Sequence, residues 1–154
     1  MSVPERSWSL PHLRIDVNGD WLNDGVPITH AGILANLRQN LRHDAQGYYV
    51  QAGPARVPVE VEDAPFTVVR VEAERGDRLR LILNDETEEP LDPATLRLGP
   101  GSIPYCRVKN GEFEARLSRA AAWQLAQFVK YDEASDTATL VLGRASYPLN
   151  PREG

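Results

Sequence analysis

Cysteine is almost missing from this sequence. Cys106 is the only one in 154 residues, which excludes an intramolecular disulfide and makes an internal, reducing compartment the simpler expectation. Lysine is nearly as scarce, since Lys109 and Lys130 are the only two among seventeen basic residues and the rest are Arg. Arginine is the better fork for phosphate or carboxylate, although biased codon usage gives the same composition. No apolar run approaches the length that crosses a bilayer. The opening Met1–Pro11, with Pro4, Glu5, Arg6 and Ser7, has no apolar centre of signal-peptide length, so a cytoplasmic protein is expected.

The chemistry-bearing motifs are sparse too. His12, His30 and His43 have no metal-ligand spacing, and a single cysteine cannot complete a zinc site with them. Asp85, Glu86, Glu88 and Glu89 lack the Asp/Asn alternation and central Gly of a calcium loop. There is no Gly-x-Ser-x-Gly elbow, and Gly99-Pro100-Gly101-Ser102 has neither the lysine nor the length of a phosphate loop. No metal, cofactor or catalytic constellation is expected.

What is present is a globular composition, 42% hydrophobic and 25% charged, in a chain long enough to bury about two-thirds of its unfolded surface. The net charge of -5 argues against duplex DNA and anionic membranes as partners. The central stretch Val57–Phe66 alternates Val57, Val59 and Val61 with Pro58, Glu60 and Glu62, the period of a half-buried strand, then breaks at Asp63-Ala64-Pro65. Ahead of it, Leu13, Ile15 and Val17 share a face before Asn18-Gly19, a hairpin signal, and Thr29 can cap a helix to about Arg42 with Ile33, Leu34, Leu37 and Leu41 on one side. Behind it, Cys106–Phe113 contains another Asn-Gly hairpin, and Ser118 can cap a helix to about Lys130 with Ala121, Ala122, Leu125, Phe128 and Val129 inward. Tyr48–Gln51 and Thr137–Leu142 supply the strand that follows each helix.

The two ends therefore read as a duplicated strand-strand-helix-strand motif, with Gly19 matching Gly111, Thr29 matching Ser118 and Tyr48 matching Thr137. Strands are expected at Phe66–Ala73 and Leu79–Leu83, an acidic loop at Asn84–Pro93, and a boundary at the loop Gly99–Pro104. The fold class expected is α+β with mostly antiparallel sheets. Residues 1–98 and 99–154 form two halves packed as one unit.

Several stretches resemble a bacterial family known as domain of unknown function 1285. They are Asn18-Gly19-Asp20-Trp21 with Gly25-Val26-Pro27-Ile28, Val59-Glu60-Val61-Glu62-Asp63-Ala64-Pro65-Phe66, and Pro104–Val108 with Glu114–Arg119. The resemblance implies a duplicated α+β core whose second half is superficially pleckstrin-homology-like. It also implies a site at the junction of the halves for a nucleotide-like ligand, with a role in signalling and no established catalysis. This chain departs from the family pattern at Ala52–Arg56 and at Pro93–Thr95, where ligand contacts would change.

Three functions follow as expectations. The leading one is a non-enzymatic module binding a small anionic, nucleotide-like molecule through Asp63, Pro65 and Phe66 with Tyr105, Arg107 and Arg119. Asp63 lies at a break where it can also bond backbone N–H groups, and Arg119 at a helix start needs a partner that opposes the helix dipole. The second is a scaffold for a protein partner or for another copy of itself, using a strand edge or Tyr147, Pro148 and Leu149. The third is a hydrolase using Glu60, Glu62 or Asp63, whose paired carboxylates equally suit the wet face of a strand. Trp21, Phe66 and Trp123 are expected in the core, as is Cys106.

Overall fold

Alternation along short strands builds the first half. The structure, a computed structural model, describes residues 11–75 and 77–153. The chain divides into two compact units, Met1–Asp63 and Ala64–Gly154. The loop Gly99–Pro104, expected as the boundary, therefore lies within the second unit.

In the first unit the elements are β1 (Leu13–Ile15), β2 (Trp21–Asn23), β3 (Val26–Pro27), α1 (Ala31–Gln39), β4 (Leu41–Asp44), β5 (Gly47–Ala52) and β6 (Ala55–Val61). They form one sheet in the order β3-β2-β1-β6-β5-β4, antiparallel except where β1 runs parallel to β6. Leu13 faces Val59 and Ile15 faces the half-buried Val61; Leu13, Ile15 and Val59 join Trp21, Leu41, Val50 and Val57 in the core while Arg14, Pro58 and Glu60 face solvent. The helix is shorter than expected and differently capped. His30 Nδ1, not Thr29, accepts the Ile33 N–H, and Leu41 leaves the helix to start β4, buried. Asn40 causes the break: its side-chain amide bonds back to the Asn36 carbonyl at 2.8 Å while its own carbonyl accepts Gln51 N–H. At Asn18-Gly19 the turn is held by Asp16, whose carboxylate accepts the N–H groups of Asn18 and Asp20. The tight two-residue turn is Asp24-Gly25, with φ of 52° and 81°.

The second unit contains β7 (Phe66–Ala73), β8 (Leu79–Leu83), β9 (Glu88–Pro90), β10 (Arg97–Leu98), β11 (Pro104–Val108), β12 (Phe113–Leu117), α2 (Arg119–Ala126), β13 (Val129–Asp132), β14 (Thr137–Leu142), β15 (Ala145–Pro148) and β16 (Asn150–Pro151). A seven-stranded sheet runs β16-β10-β11-β12-β7-β8-β9, and β13-β14-β15 forms a second. Only β10 with β16 and β12 with β7 are parallel. β7, β8 and β14 keep the bounds their patterns predict, but the expected acidic loop contains β9. Ser118 Oγ accepts Ala121 N–H as the N-cap, and α2 buries Ala121 and Leu125. It ends at Ala126, so Phe128 lies beyond it, offering its carbonyl to Val141 N–H, and Val129 starts β13. Trp123 is 73% exposed, against the expectation of a core residue, because it sits about 200° round the helix from Ala121.

The fold is α+β and duplicated, and the copies match through their sheets. β15 and β16 are one strand interrupted at Leu149, so β12-β11-β10-β16/β15-β14-β13 repeats the order β3-β2-β1-β6-β5-β4. Arg14 pairs with Glu60 in parallel, and Arg97 with Asn150. Glu62 N–H bonds the Ile15 carbonyl at 2.9 Å, and Arg152 N–H the Leu98 carbonyl at 2.8 Å. Ala52 faces Ala55, and Leu142 faces Ala145. Gln51 N–H reaches Asn40 as Val141 N–H reaches Phe128. The repeat is thus three strands, a helix and three strands, and the turn equivalent to Asn110-Gly111 is Asp24-Gly25, not Asn18-Gly19. Strands β7–β9 have no counterpart among the described residues of the first unit and join the second through β12.

Candidate functional site

Strand β11 sorts the expected ligand residues by simple alternation. Tyr105 and Arg107 share one face, and Cys106 and Val108 the other. Register carries this across the sheet: Tyr105 lies between Arg97 and Arg116, and Arg107 faces Glu114. Cys106 faces Ala115, which faces Phe66, so Phe66 belongs to the opposite face from Tyr105 and Arg107. There it is buried edge-to-face against Phe113 at 5.3 Å. Pro65 is buried, and Asp63, half-buried, closes the first unit. Arg119 opens α2 beyond Leu117, whereas Arg107 lies near the hairpin end, separated along β12 by roughly 10 Å of strand. Arg119 is exposed and has no hydrogen-bond or ion-pair partner among the described residues.

Around Tyr105 the structure assembles residues that no spacing in the sequence connects. The Arg152 guanidinium stacks on its ring at 3.9 Å and holds both oxygens of Glu114 at 3.0 and 2.7 Å. A Cβ on Gly99 would come within 2.7 Å of the ring edge, so glycine is required there. The stacking position on Tyr105 is occupied by Arg152. Arg97 donates to the carbonyls of Ala94 and Leu96.

Arg107 lines an open pocket of about 460 Å³ with Glu89, Asp92, Thr95, Lys109 and the Asn110-Gly111 backbone. Lys109, Asn110 and Gly111 all have left-handed φ, of 58°, 61° and 80°, which costs a non-glycine residue roughly 1–2 kcal/mol. Neighbouring acids hold the loop in that shape. Glu89 accepts Lys109 N–H, and Lys109 Nζ reaches Asp85 at 2.7 Å and Thr87 Oγ1 at 2.9 Å above the Phe66 ring. Burial raises the Asp85 carboxyl, but the bonds from Lys109 and Thr87 outweigh it and hold the pKa below 3.8. The Arg107 guanidinium is set by the loop itself, donating to the carbonyls of Gly111 at 3.2 Å and Glu112 at 3.4 Å. Burial, with Glu89 and Glu114 nearby, pushes the Cys106 thiol up to about 12, which leaves it protonated and inert.

In the first unit, Glu60 lines an open pocket of about 510 Å³ with His12, Gln46 and Tyr48. Its side chain is 62% exposed and lies 3.8 Å from His12. Glu62 accepts Val17 N–H and pairs with Arg14. Both belong to the solvent side of β6 and its extension. Tyr147 is half-buried opposite Leu140. Among the described residues no group of three or more His, Cys, Asp or Glu could hold a metal, and no helix is long and apolar enough to cross a membrane.

A family described as protein of unknown function (DUF2946) matches residues 6–140. No curated protein matches the chain. A DUF1285 family protein from Silicibacter pomeroyi DSS-3 is similar at a TM-score of 0.73 and 22% identity, covering 96% of this chain and 87% of that one. Another, from Shewanella baltica OS155, is similar at 0.64 and 23%, covering 76% and 91%. The fold is therefore that of DUF1285 proteins, as the sequence resemblance implies.

Proposed function

The chain belongs to the family described as protein of unknown function (DUF2946), and since that description names no activity, we propose from the site itself that the protein is a non-enzymatic binding module. Its ligand is a small, phosphate-bearing, nucleotide-like anion held at the Arg107 pocket, in keeping with a signalling role. One observation carries the reading. The Arg107 guanidinium is exposed at the pocket and, among the described residues, meets only carbonyl oxygens, which orient it without neutralising it. A planar cation fixed in this way keeps N–H donors for a bidentate oxyanion. Asn110 and Gly111 line the same pocket, while Tyr105, buried beneath Arg152, lies outside its lining.

A thermal-shift screen of the full chain against nucleotides, cyclic dinucleotides and other phosphorylated metabolites tests this. A ligand at about a hundred times its dissociation constant adds roughly 2.7 kcal/mol, several degrees for a chain of this size. The shift should disappear in Arg107→Ala and persist in Arg119→Ala. A screen without any shift, or a shift untouched by Arg107→Ala, refutes the site.

A further inference from the structure

We propose that the face made by β3 and α1 in the first unit receives an extended strand from a partner protein, as β12 and α2 receive β7 in the second. The duplication supplies the template. In the second unit β7 lies parallel to β12, with Phe66 facing Ala115 and Val68 facing Leu117. It continues along α2, where Ser118 N–H bonds the Val68 carbonyl and Gln124 Oε1 accepts Val71 N–H at 2.7 Å. Ala115 and Ala121 flank the strand, and both are 0% exposed.

By the matched registers, Val26 stands in the first unit where Ala115 stands in the second, and Ile33 where Ala121 does. Val26 is 65% and Ile33 50% exposed, and α1 has no fully buried residue. Both are larger than the alanines they match, so water covers branched apolar side chains at the two positions where the other copy is driest.

The chemistry of the occupant follows from the differences between the copies. Val26 and Ile33 fill more space than two alanines, so the segment carries a smaller residue than Phe66 opposite Val26. Ile28 N–H turns inward to the Trp21 carbonyl, so Pro27 and Thr29 face outward, and Pro27 has no N–H to give. Thr29 N–H, which has no acceptor among the described residues, is the donor left for a short ladder. The partner is therefore a short, Val/Ala-rich extended segment.

The probe is a fluorescent octapeptide with the sequence of Phe66–Ala73, together with a version carrying Val in place of its Phe, titrated into the full chain by anisotropy. Saturable binding is expected, tighter for the Val version and about tenfold weaker to Ile33→Asp. Ile33 is already half in water, and a thermal melt verifies that the variant folds. The proposal falls if neither peptide saturates or if Ile33→Asp leaves the affinity unchanged. It falls equally if affinity responds to Gln124→Ala and not to Ile33→Asp, which would mean exchange with β7. Self-association in sedimentation equilibrium that Ile33→Asp abolishes would make a second copy the occupant and overturn the partner strand.

Discussion

α1 and α2 hold the same place in two copies of one motif, each between three strands and three more, yet they live in different surroundings. α2 presses Ala121 and Leu125 onto β7 and is pinned there by Gln124. α1 has His30 for a cap, a single basic residue in its last turn, and Ile33 half in water. Among the described residues, the helices differ less in their own sequences than in whether a strand lies beneath them. An amphipathic stripe declares that a helix has a face to bury and is silent about what buries it.

Mutations that remove packing from each helix in turn should break this contrast most visibly. Leu125→Ala should cost about 2–5 kcal/mol, transfer plus cavity, whereas Ile33→Ala on the other helix should cost about 1 kcal/mol or less. Denaturant melts of the two variants measure both, and equal losses would show that α1 is as firmly packed as α2. Gln124→Ala should come next. It strands the buried Val71 N–H for roughly 1–3 kcal/mol, while Asn36→Ala at the matching position of α1 should stay within about 0.5 kcal/mol. Hydrogen exchange at Val71 separates a local loss of protection from a global one.

The smallest expected difference lies in the ion pairs. Lys109–Asp85 is shielded, with side chains 28% and 13% exposed, and Arg14–Glu62 is open at 45% and 41%. Asp85→Asn should cost about 1–2 kcal/mol at neutral pH, and Glu62→Gln about 0.5 kcal/mol. The sign of the pH effect follows from the direction of the shift. The folded pKa of Asp85 lies below 3.8, so its contribution is complete above about pH 4 and fades as the pH falls through the folded value. Wild type and Asp85→Asn should therefore converge in stability in acid. A gap that stays constant down to about pH 2 would assign the effect to packing instead.

Much of the fold was legible in residue order. Alternation gave β7, β8 and β14 their bounds, and Ser118 marked the start of α2, because period and capping are local properties of the chain. Helix ends were less legible. Leu41 and Val129 continue a helical stripe, but Asn40 and Gln127 release the chain into strands whose pull comes from partners at Val50 and Leu140, residues outside any local window. The repeat was visible, yet its register was misplaced by the Asn-Gly signal. Asp16 holds the first such turn open, while Asp24-Gly25 takes the tight form.

For the candidate site the balance shifts. Arg107 and Tyr105 could be chosen from the strand pattern, and alternation alone put them on one face. That Phe66 faces the other way was decided by the register of β12 with β7, and a shift of one residue would have reversed it. Arg152 over Tyr105 and Glu89 against the Lys109 turn are contacts between segments far apart in the chain, which only the sheet order brings together. The sequence by itself determined an acidic α+β chain with two capped amphipathic helices, a duplicated order of elements and no spacing for a metal or a catalytic triad. The tertiary structure alone decided which helix face is covered and which arginines, Arg107 among them, meet no carboxylate among the described residues. Each of these depends on a neighbour supplied by a distant part of the chain, and burial and pairing energies are properties of neighbours rather than of residues.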